Sequence, residues 1–249
     1  MSAPALEMRG LDVRIGAVQV TRGLWQRMER GEFWALLGPN GSGKTTLLLT
    51  LAGIRSPDSG AVRLFGQTLG EWSRRRLARR LGMLQQNTQY TFDATVLETA
   101  LVGRHPHLRP WARESNADIQ RARAALQRLG LTSLENRRCT TLSGGEARRL
   151  AMATLLVQDP RVMLLDEPNN HLDLKHQHAA MRTLQQAVTA EQRLVVAALH
   201  SLHLAQRYCT HALLLFPGGD VCGGPIDVML EPKLLAGLYE VEPDQLGIA

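Results

Sequence analysis

Apolar and polar residues alternate at the start of the chain, with Leu6, Met8, Leu11, Val13 and Ile15 marking a first strand and a second run ending near Met28. Phe33–Leu37 is apolar without interruption, the pattern of a strand buried on both faces. A glycine-rich stretch follows, and residues 44–52 read as a helix. Pro57-Asp58-Ser59-Gly60 predicts a turn, residues 61–65 a short strand, and residues 81–84 another after an arginine-rich helix.

From residue 87 to about 158 the chain is more polar and helix-rich. Pro106 and Pro110 break it early, and helices are expected near 114–129 and 146–158. Alternation then returns, with strands at 161–166, 193–199 and 211–216 separated by helices at 174–190 and 201–208. Pro217-Gly218-Gly219-Asp220 makes a turn, and short helices are expected from Ile226. Strands alternating with helices predict an α/β fold with a mostly parallel sheet, N-terminal antiparallel strands and an inserted helical subdomain. A single domain over residues 1–249 is expected, its core formed by 1–86 and 161–249 and its helical subdomain by 87–160.

Composition sharpens this only in places. With 44% hydrophobic and 4% aromatic residues, the core rests on aliphatic side chains. The net charge of +6 comes almost entirely from arginine, since lysine stands only at Lys44, Lys175 and Lys233. A basic chain invites a nucleic-acid partner, but the densest run, Arg74-Arg75-Arg76 with Arg79 and Arg80, reads as the solvated face of a short helix, and no nucleic acid is expected. Cys139, Cys209 and Cys222 are too scattered for a disulfide framework or zinc pattern. His105 with His107, and His171 with His176 and His178, have no metal-ligand spacing. No signal-like apolar run opens the chain, and no stretch reaches the ~18 apolar residues that cross a bilayer. Any membrane role therefore needs a second protein as anchor.

Gly38-Pro39-Asn40-Gly41-Ser42-Gly43-Lys44-Thr45 fits G-x-x-x-x-G-K-[ST] and stands between a strand and a helix, where that pattern works. The glycines let backbone N–H groups turn inward around phosphate oxygens, and the new helix adds its positive end. Lys44 reaches the β- and γ-phosphates, and the Thr45 hydroxyl can ligate Mg²⁺. This loop by itself says only "nucleotide".

The strand at 161–166 ends in Asp166-Glu167. Beside the phosphate loop, Asp166 can hold Mg²⁺ through water and Glu167 can polarise the attacking water. Leu142-Ser143-Gly144-Gly145-Glu146 precedes a helix; Ser143 and Glu146 form a capping box, but a cap does not need two glycines. Those expose the first N–H groups of the helix as a second anion cradle. Two cradles for one nucleotide suggest a two-fold pair of chains, each completing the site of the other.

Phosphate loop, LSGGE and LLDEP, in this order and spacing, resemble the nucleotide-binding domains of ABC transporters, a likeness covering nearly the whole chain. It implies a P-loop NTPase cassette, with ATP and Mg²⁺ held between two copies. Nucleotide contacts are implied at Gly38, Pro39, Asn40, Gly41, Ser42, Gly43, Lys44, Thr45 and Thr46, and across the interface at Ser143, Gly144, Gly145 and the D-loop Asp173. Mg²⁺ is assigned to Thr45, Gln86 and Asp166. Gln86 matches the Q-loop glutamine that senses the permease, Glu167 the general base, and His200 the switch histidine at the γ-phosphate.

Arg79-Arg80-Leu81, Gly103-Arg104-His105-Pro106-His107, Leu199-His200 with Leu202, and Val228-Met229-Leu230-Glu231-Pro232 look more closely like the ATPases of siderophore-iron, haem and cobalamin importers. That likeness implies a homodimer seated on an integral membrane permease dimer, served indirectly by a substrate-binding protein, at the cytoplasmic face of the bacterial inner membrane. Three positions depart from the family. Ile15 stands near the usual adenine-stacking aromatic, predicting weak or purine-tolerant binding. Gln85 replaces a common proline before Gln86, which loosens that loop, and Ser201 replaces the usual acid after His200. One competing reading is a soluble ABC ATPase acting on ribosomes or nucleic acid, to which Asn170-His171-Leu172-Asp173 lends some likeness. Another is a small-molecule kinase, which leaves LSGGE unexplained.

Overall fold

Every side chain of Phe33–Leu37 is buried, as the unbroken apolar run requires. The computed structural model describes residues 3–87 and 89–242; the termini of the expected 1–249 domain, and residue 88 within the helical stretch, lie outside them. In chain order the strands and helices are β1 (Leu6–Ile15), β2 (Val18–Met28), β3 (Phe33–Leu37), α1 (Lys44–Leu51), β4 (Ser59–Leu64), β5 (Gln67–Thr68), α2 (Arg74–Ala78), β6 (Leu81–Leu84), α3 (Val96–Leu101), α4 (Asn116–Arg128) and α5 (Gly144–Gln158). Then come β7 (Val162–Asp166), α6 (Leu174–Thr189), β8 (Leu194–Ala198), α7 (Leu202–Tyr208), β9 (His211–Leu215), β10 (Val221–Pro225), α8 (Ile226–Met229) and α9 (Pro232–Tyr239).

A six-stranded sheet in the order β10-β9-β3-β8-β7-β6 forms the centre, parallel except at β10. An antiparallel sheet, β2-β1-β4-β5, lies against one face of it. The two-residue period of a strand divides the core accordingly. Phe33, Ala35 and Leu37 join the cluster that contains α3, α4, α5 and α6, whereas Trp34 and Leu36 join the one formed with β1, β2 and α1. No helix among the described residues is long and apolar enough to cross a membrane.

Four details differ from the sequence reading. Helix α3 forms ahead of Pro106 on a complete capping box of Thr95 and Glu98; α4 and α5 start on the same device, at Ser115 with Asp118 and at Ser143 with Glu146. Ser59 and Gly60 open β4 instead of forming a turn, Gly60 lying so near the Gly10 carbonyl that a Cβ would sit 2.1 Å from its oxygen. Strand β10 pairs back onto β9 where Gly223 and Gly224 hid a strand pattern. The two-residue β5 was too short to register. The arginine helix behaves as a solvated face: Arg75 and Arg79 donate to the Pro106 carbonyl at 3.1 and 2.6 Å, and Arg76 lies over the Trp72 ring.

Two stability predictions follow from this packing. Gly43 has φ 91°, and a Cβ there would come within 2.4 Å of Val20 Cγ2 on β2. Gly43→Ala should therefore lower the unfolding free energy by roughly 2–4 kcal/mol, the left-handed backbone and the clash each contributing. Val20→Ala in the same chain should recover the clash part alone, as read by urea denaturation. Asp118, bonded to Ser115 and 2.7 Å from Arg104, has its pKa lowered from 3.8 to about 2, mainly by the Ser115 hydroxyl. A depressed folded pKa stabilises above 3.8 and loses that effect as pH falls towards 2. Asp118→Asn should thus cost roughly 2–4 kcal/mol at pH 7, a gap that closes between pH 4 and pH 2 (both approximate) in denaturation curves.

Candidate active site at the carboxyl edge of the sheet

Strands β3, β8, β7 and β6 are consecutive neighbours and all run the same way, so their carboxyl ends share one edge. From that edge emerge, in spatial order, the phosphate loop, His200, Asp166-Glu167 and Gln86. Strand spacing of about 4.8 Å makes these groups neighbours although they span more than 160 positions of sequence. This edge is where ligands bind in open α/β sheets.

The phosphate loop, residues 38–46, turns from β3 into α1 through Gly41 and Gly43, both at positive φ. Lys44, 7% exposed, donates to the carbonyls of Gly38 and Pro39 at 2.7 and 3.0 Å, folding back on its own loop. Burial lowers its pKa, opposed by the charges of Glu167 and Asp166. The Ser42 hydroxyl is buried and has no hydrogen-bond partner among the described residues. Thr45 is the second residue of α1, and Thr46 is buried behind it.

Asp166 is the last residue of β7 and is 1% exposed. Burial pushes its carboxyl up, the nearby Thr45 hydroxyl opposing this. Neither side-chain oxygen finds a hydrogen bond of good geometry among the described residues. A buried carboxylate left in this state beside a threonine hydroxyl is a donor set suited to a hard cation, so the residues fit Mg²⁺.

Glu167 is held more closely than the sequence indicated. Its backbone adopts φ 51°, a left-handed conformation unusual for glutamate. One carboxylate oxygen accepts from Gln86 Nε2 at 3.0 Å and from the Asn170 amide; the other lies 2.6 Å from His200 Nε2. Gln86, expected at Mg²⁺, and His200, expected at the γ-phosphate, thus converge here on Glu167. Asn170 was not singled out. Its signal is the tight turn of residues 167–170, closed by Asn170 N–H donating to the Glu167 carbonyl at 3.1 Å.

The second cradle lies elsewhere. Ser143 Oγ accepts from Glu146 N–H at 3.3 Å, and Glu146 accepts from Ser143 N–H at 2.8 Å, so the capping box is formed. Gly145 also has a steric reason: a Cβ would meet the His171 carbonyl oxygen at 2.9 Å. A hollow of about 520 Å³ joins Ser143, Gly144 and Gly145 with Asp173 and His176. Asp173 caps α6 by accepting from His176 N–H at 2.8 Å. Three of the five histidines considered for a metal set have other partners: His176 Nδ1 lies 2.8 Å from Asp173, His178 meets the Tyr208 hydroxyl and His107 the Gln158 carbonyl.

Arg148 belongs to none of the sequence motifs. It is 2% exposed and reaches from α5 to backbone carbonyls at Gln85, Gln86, Asp166 and Glu167. Its signal is a charge on the stripe it shares with the buried Met152 and Leu155. Ile15, at the end of β1, is 46% exposed.

Residues 22–170 match the ABC transporter family profile. The chain is 34% identical over 241 residues to the ferric enterobactin transport ATP-binding protein FepC of Escherichia coli strain K12, covering 96% of this chain and 89% of that protein. It is 39% identical to the hemin import ATP-binding protein HmuV of Escherichia coli O157:H7, covering 84% and 82%. It is 32% identical to the cobalamin import ATP-binding protein BtuD of Halobacterium salinarum, covering 94% and 58%. A metal-chelate type ABC transporter solved in an inward-facing conformation superposes with a TM-score of 0.82 at 28% identity, covering 95% of this chain and 89% of that one. With the profile spanning more than half its length, and relatives above 30% identity across nearly all of it, the chain belongs to the ABC transporter family as one of its ATP-binding, ATP-hydrolysing cassettes.

Proposed function

We propose that this cassette powers the inward transport of a metal-chelate cargo, of the ferric siderophore, haem or cobalamin class, through a separate membrane permease. The observation that carries the mechanism is the convergence of Gln86, Asn170 and His200 on the Glu167 carboxylate, next to the phosphate loop. The cargo class rests on relatives that serve ferric enterobactin, hemin and cobalamin.

In this reading the loop amides of residues 38–46 and Lys44 bind the triphosphate, which takes the place of the Gly38 and Pro39 carbonyls at the Lys44 ammonium. Thr45, Asp166 and Gln86 hold Mg²⁺, which supplies charge neutralisation at the phosphates when bound. His200 moves from Glu167 to the γ-phosphate, freeing the carboxylate to take a proton from the attacking water. Ser143, Gly144, Gly145 and Asp173 meet the nucleotide of a second copy. The open hollow they line, which includes no phosphate-loop residue of their own chain, supports that pairing.

The helical stretch 87–160 acts as a subdomain against the core of 1–86 and 161–249. Between them lies a mostly apolar hollow of about 720 Å³ bordered by Leu84, Gln85, Tyr90, Phe92 and Val102, with Phe92 82% exposed. It suits the permease, which would feel Gln86 through its neighbour Gln85. The cassette would then sit at the cytoplasmic face of the bacterial inner membrane, with a substrate-binding protein delivering cargo from the other side.

Glu167→Gln should reduce turnover more than a hundredfold (an order-of-magnitude expectation) while an ATP-bound dimer accumulates on size exclusion; near-normal turnover in that variant would remove Glu167 from the role of base. Ile15→Tyr offers adenine a stacking face worth roughly 1–3 kcal/mol, so ATP affinity should tighten about fivefold or more. Unchanged affinity in a titration with fluorescent nucleotide would refute that account of Ile15.

A further inference from the structure

We propose that Arg148 is a positioning residue that ties the catalytic backbone at Gln86 and Glu167 to helix α5, so that the base follows the helical stretch as it moves. The inference rests on the reading of Glu167 as base and of residues 87–160 as a moving subdomain.

The hydrogen-bond pattern carries it. Strands β6 and β7 pair as a parallel ladder as far as Leu84 beside Leu165, where the ladder ends. Beyond that pair, Gln85 and Gln86 on one side and Asp166 and Glu167 on the other are no longer bonded to each other, Asp166 and Glu167 keeping only their contact with Ala198 of β8. Across that gap lies the Arg148 guanidinium. Nη1 donates to the carbonyls of Gln85 and Gln86, the latter at 3.1 Å; Nη2 donates to those of Asp166 and Glu167, the latter at 2.8 Å. One planar group thus holds the main chain of the Q-loop against that of the acidic pair after the β6–β7 ladder has stopped doing so.

The donor is matched to that task. A guanidinium presents donors in a rigid fork that can serve two chain segments at once, whereas a lysine ammonium is a single point on a flexible stem. The group is buried, and among the described residues its Nε has no partner and its bonds all go to backbone carbonyls. Its charge is compensated through space by Asp166 and Glu167. Burying an unpaired cation is costly, and packing alone would be met by an apolar side chain of similar length. What the charge adds is strong bonds to four carbonyls at the site of hydrolysis.

A mechanical consequence follows. Arg148 lies four residues into the helix that begins with Gly144 and Gly145, and it lines a hollow with Gln86, Gly144 and His171. Rotation of α5 displaces the guanidinium and, through it, the Glu167 backbone. That backbone is already left-handed and has little freedom to absorb the shift. Because a misplacement of about 1 Å can cost on the order of a hundredfold in rate, α5 orientation would control hydrolysis without touching the nucleotide held by its own chain.

The test compares wild type, Arg148→Lys, Glu167→Gln and the double variant in single-turnover hydrolysis of radiolabelled ATP, with nucleotide affinity and melting temperature measured alongside. Arg148→Lys should lower the rate at saturating ATP tenfold or more, with affinity within about twofold of wild type. In the Glu167→Gln background it should cause no further loss, because its effect runs through Glu167. Should Arg148→Lys not fold, Arg148→Gln serves in its place. The proposal is overturned if the rate at saturating ATP stays within twofold of wild type, if the losses multiply in the double variant, or if affinity falls in step with rate. The Glu167→Gln arm alone reports on the base: a normal rate there sinks that reading, whereas a normal rate in Arg148→Lys sinks only this one.

Discussion

Four parallel strands ending on one edge of a sheet set the geometry on which the rest of this protein depends. Hydrogen-bonded neighbours must lie about 4.8 Å apart, so the order β3-β8-β7-β6 brings the phosphate loop, His200, Asp166-Glu167 and Gln86 to one line. The apolar character of Phe33–Leu37, of residues 162–165 and of Leu194–Ala198 is what buries these strands and makes their ends rigid. A site that must hold a triphosphate and a water in fixed relation needs such a frame, since loops alone do not hold side chains to fractions of an ångström.

Burial at this edge is also electrostatic. Lys44, Arg148, Asp166 and Glu167 are each at most 9% exposed, two cations and two anions in one place. Ion pairing by direct hydrogen bond is sparse among them: Lys44 and Arg148 bond backbone carbonyls, and the Asp166 carboxylate has no hydrogen bond of good geometry among the described residues. Charges are assembled while their strongest partners are left for a ligand. Glu167 is the exception, its carboxylate occupied by Gln86, Asn170 and His200. Such an arrangement is preorganised for phosphate chemistry, with the proposed base, Glu167, held by side chains that must exchange partners before it can act.

The helical stretch obeys a different logic. Helices α3, α4 and α5 each open on a capping box, so their starts are written locally. Their packing nonetheless shares one continuous apolar cluster with the central sheet. Arg148 is the polar counterpart of that contact, and the close approach of Gly145 to the His171 carbonyl is its steric counterpart. The first ties α5 to the acidic pair and to Gln86, and the second sets the loop of residues 143–146 against the segment that follows that pair.

Local chemistry made much of this legible from sequence. The phosphate loop, the acidic pair, the Ser143 cap and the buried strands each rest on residues within about eight positions of one another, and the structure forms all of them. The arginine helix, too, proved a solvated face, as its polar surroundings suggested. Misses came where neighbours in space are distant in sequence or where glycine disguised a strand: β10 was concealed by Gly223 and Gly224, and the start of β4 by Gly60. Sequence by itself determined which residues could do the chemistry, because motif spacing follows the short-range geometry of strand, turn and helix. Only the tertiary structure decided that Gln86, Asn170 and His200 meet on one carboxylate and that Arg148 bridges two departing strands. Those contacts join segments up to 81 residues apart, and no local periodicity encodes where such chains cross.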